Sequence, residues 1–242
     1  IKKTINNVIS KKMKLLCLIC ARGGSKGIKN KNLSKIGKKT LLNHSIDIAK
    51  KANVFAKIVV STDNKKIANN ARLLGAEVPF LRPKKLSRDN SSEIDAWKHA
   101  INFLKKKNIE FDALVSLPCT SPLRNVSDVL KCIKKFKTKK FDSVITVKKS
   151  NRNPYFNMVE KKKNKNYNIV ITSKKYVHNR QMAPITYDVS TVCFVSNINY
   201  VLKHQNLFQG KVGIVEIPLN RSIDIDNKMD YKIAKIIYEK KI

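Results

Sequence analysis

The 242 residues, 42% of them hydrophobic, suffice for the buried core of one α/β domain. No apolar run approaches the ~20 residues of a membrane-spanning helix, and residues 1–8 lack the apolar stretch of a secretory leader. The net charge of +34 invites a nucleic-acid reading, but it comes from 43 lysines spread along the chain beside abundant Asn and Ile, three residues whose codons are rich in A and T. Without RNP-type aromatics or zinc-finger spacing, composition accounts for the charge, and only non-specific attraction to polyanions at low salt follows. Five cysteines without an export signal indicate a reducing, cytoplasmic compartment.

Ile1 is an unusual first residue and Met13 stands just before the first apolar run, so residues 1–12 read as an upstream extension or an alternative start. Leu15 to Cys20 is a predicted strand, and Cys17 and Cys20, three apart, face opposite sides of it as core thiols. A helix follows over 41–52, then a strand over 58–61. Thr62 and Asp63 are placed to cap a helix over 64–74, which Gly75 closes. Residues 77–80 are extended, and 91–106 form a helix containing the only Trp, Trp97. Next come a strand at 113–117, a proline-rigid turn, a helix over 126–136 and a strand at 143–147. Residues 148–187 break the alternation: they are polar and basic, and read as a projecting β-rich flap with the basic run 161–166 as a solvated hairpin tip. Strands resume at 192–195 and 212–217, and a helix over 226–240 closes the domain, which runs from residue 13 to 242. Such alternation implies an α/β fold: a mostly parallel sheet with helices on both faces, binding ligands at the carboxyl ends of its strands.

Three of the seven glycines, Gly23, Gly24 and Gly27, fall just after the first strand, interleaved with Arg22, Ser25 and Lys26 and followed by Lys31. Glycine admits positive φ and close approach, and free backbone N–H groups beside cations make an anion site. The spacing is neither a P-loop nor a Rossmann fingerprint. Among so many lysines, arginine is the less expected cation, and its planar fork suits phosphate or carboxylate. Arg22, Arg82, Arg124, Arg180 and Arg221 lie in loops after strands or in turns, whereas Arg72, Arg88 and Arg152 read as surface residues. Acids are scarce, yet Asp224 and Asp226 stand two apart in an extended segment with Asp230 beyond. Their side chains share one face while Ile223 and Ile225 turn to the core, an arrangement that can present oxygens to Mg²⁺. Helix capping by Asp226 would explain one aspartate but not the pair.

The ordered set resembles the CMP-sialic acid synthetase (acylneuraminate cytidylyltransferase) family. The blocks are 21–32, 60–63, 77–83 with 89–92, 120–124 and 222–226, with Arg180, Gln181 and Pro184 as a weaker sixth. The resemblance implies a nucleotidyltransferase fold of the glycosyltransferase-A type and transfer of CMP from CTP to a 2-keto-3-deoxy nonulosonic acid, releasing pyrophosphate. It also implies a homodimer in which the flap reaches over the partner's site. By motif match, Arg22, Gly23, Gly24, Ser25, Lys26 and Lys31 hold the triphosphate, and Asn32, Arg82, Ser91 and Ser92 lie near cytosine and ribose. Thr120, Ser121 and Arg124 shape the sugar side, Arg180 and Gln181 approach from the flap, and Asp224 and Asp226 bind Mg²⁺. Arg22, Lys31, Asp224 and Asp226 carry the catalysis, which is placement plus cations around a phosphoryl group. Two departures stand out: Pro118 and Cys119 replace a Gln-Pro pair, and residues 187–193 lack an Asn-Gly pair. They point to an acceptor other than N-acetylneuraminate, of legionaminic or pseudaminic type. The competing readings are a related nucleotidyltransferase for another sugar acid, as in CMP-Kdo synthesis, a catalytically lapsed relative, and a non-enzymatic nucleic-acid-binding protein.

Overall fold

A computed structural model describes residues 13–25, 27–163, 165–173 and 177–240. The expected extension at 1–12, Lys26 of the glycine loop and Asn164 of the basic run lie outside the described residues.

The apolar run at the start becomes β1 (Leu15–Cys20), flanked by β4 (Lys57–Ser61) and β5 (Ala113–Ser116), both parallel to it. A short hairpin, β2 (Lys35–Ile36) and β3 (Lys39–Thr40), intervenes in sequence. β6 (Ser143–Lys149), β9 (Tyr187–Asn197) and β10 (Val212–Glu216) complete a six-stranded sheet in the order β10-β6-β9-β5-β1-β4. Only β9 runs antiparallel to its neighbours, β5 and β6, so the expected mostly parallel α/β sheet is what forms.

Alternation along β1 sends its side chains to two cores. Leu15, Cys17 and Ile19 join α1 (Leu41–Ala52), α2 (Lys65–Leu73), α4 (Val126–Phe136) and α6 (Lys228–Lys240). Leu16 and Leu18 pack with α3 (Glu93–Lys105) and α5 (Ile198–Lys203), and Cys20 faces this second side, opposite Cys17. Each fully buried Leu or Ile here contributes about 2 kcal/mol. Burial raises the pKa of both thiols, which behave as small apolar groups.

Helix boundaries follow their caps. The side chain of Thr40 accepts from Asn43 N to start α1. Asn64, rather than Thr62 or Asp63, caps α2, its Oδ1 accepting from Lys66 N and Ile67 N at 2.8 and 3.2 Å. Thr62 Oγ1 accepts from Asn64 N at 3.1 Å and Asp63 is turned to the glycine loop, so neither takes the first helical N–H groups. Gly75, at φ +81°, ends α2 with paired bonds from Gly75 N to Arg72 O and Ala76 N to Ala71 O. Ser92 caps α3, which therefore starts two residues later than the sequence pattern suggests. Asn227, not Asp226, caps α6, accepting from Met229 N and Asp230 N, while Asp230 accepts from Asp226 N and Asn227 N.

β6 and β9 extend past the body of the sheet, pairing Lys149 with Tyr187, and between them lies the projection expected at 148–187. Among its described residues is a short hairpin, β7 (Val159–Lys161) and β8 (Tyr167–Ile169), with Lys162, Lys163 and Lys165 of the basic run at its turn. Asn153 ties its base, donating to Pro184 O at 2.8 Å and accepting from Tyr155 N. Among the described residues no helix is long and apolar enough to cross a membrane.

Candidate active site

The carboxyl ends of β1 and β5 open into a cleft of about 430 Å³, where an open α/β sheet places its ligands. Residues 82–93, with Arg82, Arg88, Asp89, Ser91, Ser92 and Glu93, form one wall, and three further chain segments complete the lining.

The first is the glycine loop. It leaves β1 against β4, with Ala21 N bonded to Ser61 O, and Asp63 takes the Gly23 N–H at 2.9 Å. Asn32, buried, donates to Arg22 O at 2.9 Å and so fixes the loop's first turn. The expected positive φ is absent from Gly23, Gly24 and Gly27. Close packing is the reason for two of them. A Cβ on Gly27 would stand 2.1 Å from Asp226 O, and one on Gly23 2.8 Å from the Asn64 amide. Gly24 meets nothing within 4 Å. Arg22 and Ser25 line the cleft, and Arg22 pairs with Asp89 at 2.8 Å.

The second segment is 222–226. Arg221 forks onto the buried Asp128 of α4 at 3.0 and 2.9 Å, and Ile225 N bonds Thr120 O at 2.9 Å. Ile225 is fully buried and Ile223 partly so, which turns Asp224 and Asp226 toward the cleft. Lys31 reaches across to bond Ile225 O at 2.6 Å and Asp226 Oδ1 at 3.2 Å. Asp224 Oδ1 is buried and, among the described residues, has no hydrogen-bond partner. An orphaned carboxylate oxygen beside a second carboxylate suits a hard cation that takes its remaining oxygens from phosphate and water. No group of three or more His, Cys, Asp or Glu side chains is assembled among the described residues, so any ion here depends on such shared ligands.

The third segment joins the turn after β5 to β9. The β6–β9 register slips between Ile145 and Thr146, and Thr146 Oγ1 fills the slip by bonding Ser190 O, Cys193 O and Cys193 N. The slip brings Thr191 into the cleft wall, where its hydroxyl meets Ser121 Oγ at 2.7 Å and Thr120 Oγ1 at 3.3 Å. Arg124 lies behind this wall, buried. It donates to Ser45 Oγ at 2.8 Å, to Pro118 O and to Thr191 O at 3.2 Å. Burial pulls its pKa down to about 10, which leaves it charged at neutral pH. Cys119 shares the wall, its thiol pushed up to about 12 by burial.

Of the residues singled out from sequence, Arg22, Ser25, Lys31, Asn32, Arg82, Ser91, Ser92, Thr120, Asp224 and Asp226 therefore share one cavity. Ser121 and Arg124 support its wall from behind, and Gly23 packs on Asn64. Arg180 and Gln181 lie exposed on the flap, Arg180 bonded to Asn151 O. Two arginine expectations change. Arg221 serves a buried aspartate rather than a ligand, and Arg88 lines the cleft instead of an outer surface.

Sequence reading missed Glu93, Thr191 and Cys20, all of which line the cleft. Glu93 is open toward the cavity, but its Oε1 accepts from Trp97 Nε1 at 3.2 Å and Ser116 Oγ at 3.3 Å. Desolvation by these walls raises its carboxyl pKa, opposed by the two hydrogen bonds and by the Arg82 charge. The only sequence signal for Glu93 was an acid in an acid-poor chain, and a first-turn helix residue explains that equally well.

The profile of a protein family described as "Cytidylyltransferase" matches residues 16–240. The chain is 34% identical over 225 residues to a CMP-N,N'-diacetyllegionaminic acid synthase of Campylobacter jejuni, spanning 92% of this chain and 94% of that protein. It is 33% identical over 230 residues to the post-translational flagellin modification protein B of Campylobacter coli, spanning 94% and 96%. Among solved structures, a CMP:2-keto-3-deoxy-manno-octonic acid synthetase complexed with CTP superposes with a TM-score of 0.68 over 95% of this chain and 100% of that one, at 14% identity.

Proposed function

Since the chain belongs to the cytidylyltransferase family, we propose that it activates a nonulosonic sugar acid with CTP, giving a CMP-sugar and pyrophosphate. The observation that carries this reading is the single cleft in which Arg22 and Lys31 meet Asp224 and Asp226. Cations on one side suit a triphosphate, and paired carboxylates on the other suit the ion that accompanies it.

In this reading Arg22, Lys31, Ser25 and the loop around Gly23, Gly24 and Lys26 hold the triphosphate, and Arg22 exchanges Asp89 for phosphate. Arg82, Ser91 and Ser92 line the end that takes the nucleoside, with Asn32 keeping the loop in place. Thr120, Thr191 and Cys119 face the sugar acid, supported by Ser121 and Arg124. Asp224 and Asp226 would hold Mg²⁺, whose chemistry is to neutralise phosphoryl oxygens and acidify the attacking hydroxyl. Lys31 keeps Asp226 turned to the cleft, and its ammonium is placed to meet charge that builds on the transferred group.

The flap's apolar surface supports a homodimer. Ile185 is 76% exposed, Tyr167 65% and Val159 62%, a concentration of uncovered apolar residues on one projection. A second copy seated there would let Arg180 and Gln181 approach its partner's cleft. The relatives include a CMP-N,N'-diacetyllegionaminic acid synthase and a pseudaminic acid cytidylyltransferase, and with Cys119 and Thr191 at the wall we propose an acceptor of that type.

Pyrophosphate release with CTP, Mg²⁺ and a panel of eight- and nine-carbon keto-sugar acids tests the proposal, with UTP, GTP and ATP as controls. CTP-dependent release with a legionaminic or pseudaminic acid is expected. Faster turnover with N-acetylneuraminate would overturn the acceptor assignment, and an absence of CTP binding would overturn the function.

A further inference from the structure

We infer that Glu93 reads the exocyclic amine of the pyrimidine and so selects cytosine over uracil. The inference rests on the proposed use of CTP and assigns the residue that enforces it.

Glu93 is a carboxylate in a cleft proposed to hold anions. The triphosphate and the sugar acid's own carboxylate would both be repelled by it, so its partner is a neutral part of the substrates that carries a hydrogen-bond donor. Its orientation is fixed by two immobile donors: Trp97, 2% exposed, and Ser116, fully buried. Both hold the same oxygen, Oε1. Among the described residues Oε2 accepts no hydrogen bond, and Glu93 lines the cleft. Arg82 is the charge that acts on it most strongly, ahead of Asp224. Arg82 is itself fixed, buried with its Nε on Ser87 Oγ and its backbone N on Thr62 O.

A held acceptor and a held donor lining one cavity match one edge of cytosine. That base presents two acceptors, O2 and N3, then the N4 amine as donor, and carboxylates accept from this amine. Arg82 supplies donors for the acceptors, and Glu93 Oε2 takes the amine. Uracil in the same pose would set its O4 acceptor against the Glu93 oxygen, leaving both unpaired in a partly desolvated site.

The test is Glu93→Gln in the full chain. Gln keeps an Oε1 for Trp97 and Ser116 but turns an NH₂ group toward the base. Titration calorimetry with Mg²⁺ and nucleotide alone is expected to show CTP binding weakened about 10- to 100-fold, with UTP bound more tightly than by the wild type. A second measurement needs no variant: the CTP analogue lacking the amine, 2-pyrimidinone ribonucleoside triphosphate, should bind wild type weaker than CTP by a similar factor. It should lose nothing further in Glu93→Gln. An unchanged CTP-to-UTP ratio, a wild type indifferent to the amine, or a variant that shifts only the KM for the sugar acid would each overturn the inference. Wild type that binds no CTP at all would instead overturn the proposed function, and this inference with it.

Discussion

The two flanks of the cleft are built on opposite terms. On the flank proposed to hold the triphosphate, the carboxylates paired with the cations are half-exposed or exposed, although Lys31 itself is 15% open and is also held by Ile225 O. The Arg22–Asp89 pair leaves 34% and 45% of its side chains open, and Asp226, bonded to Lys31, is 74% open. Such pairs are worth about 0–1 kcal/mol, so a polyphosphate can displace them cheaply. On the flank proposed to face the sugar acid, Ser121 and Arg124 are buried, and Thr191 is locked among hydroxyls by the register slip of β9. The first flank is arranged to exchange partners, while the second keeps one arrangement. Affinity for nucleotide should therefore respond to salt and to single charges, and choice of sugar acid should respond to packing.

That contrast can be broken most severely where the flanks join. Gly27→Ala puts a methyl group into Asp226 O, displacing the aspartate segment. Turnover should fall about 100-fold, the cost of a misplacement near 1 Å, with little change in melting temperature. Steady-state pyrophosphate release paired with calorimetry measures both. Arg124→Met should act in the opposite sense, because it leaves Pro118 O and Thr191 O without their guanidinium. A stability loss of about 3 kcal/mol is expected, read as a lower urea midpoint, and an unchanged midpoint would mean the wall does not depend on that cation. Thr191→Val is milder. Losing the hydroxyl that bridges Ser121 and Thr120 should cost about 1 kcal/mol and raise the KM for the sugar acid while that for CTP stays. The smallest effect belongs to Asp89→Asn, which frees Arg22. CTP should bind at most about fivefold tighter, and the gain should vanish in high salt.

Much of this was legible in the chain. The helices over Leu41–Ala52 and Val126–Phe136 match the sequence pattern residue for residue, because each has a strongly apolar face and a defined first turn. The Asp224–Asp226 segment was legible because alternation with Ile223 and Ile225 is a local signal. What could not be read depends on distant partners. Arg221 looks like a ligand-binding arginine until Asp128, 93 residues earlier, is brought beneath it. Arg124 likewise meets Ser45 and Thr191 only in the folded sheet. Residues 187–191 are too polar to announce a strand, and Thr191 reaches the cleft through a slip that pairing with β6 creates. Glu93 was hidden by its own helix, whose first turn favours an acid anyway.

The strand order carries a consequence for how the protein is made. β9 lies at the centre of the sheet, between β5 and β6, yet both neighbours precede it in the chain. From the end of β6 at Lys149 to the end of β9 at Asn197, a ribosome needs about 2–10 s at roughly 5–20 residues per second. During that interval the facing edges of β5 and β6 are bare, as is the far edge of β6, which waits for β10, and the flap emerges into the gap. Unpaired edges are templates for wrong partners. Successful synthesis of this enzyme therefore depends on how well β5 and β6 wait for the strand that will join them.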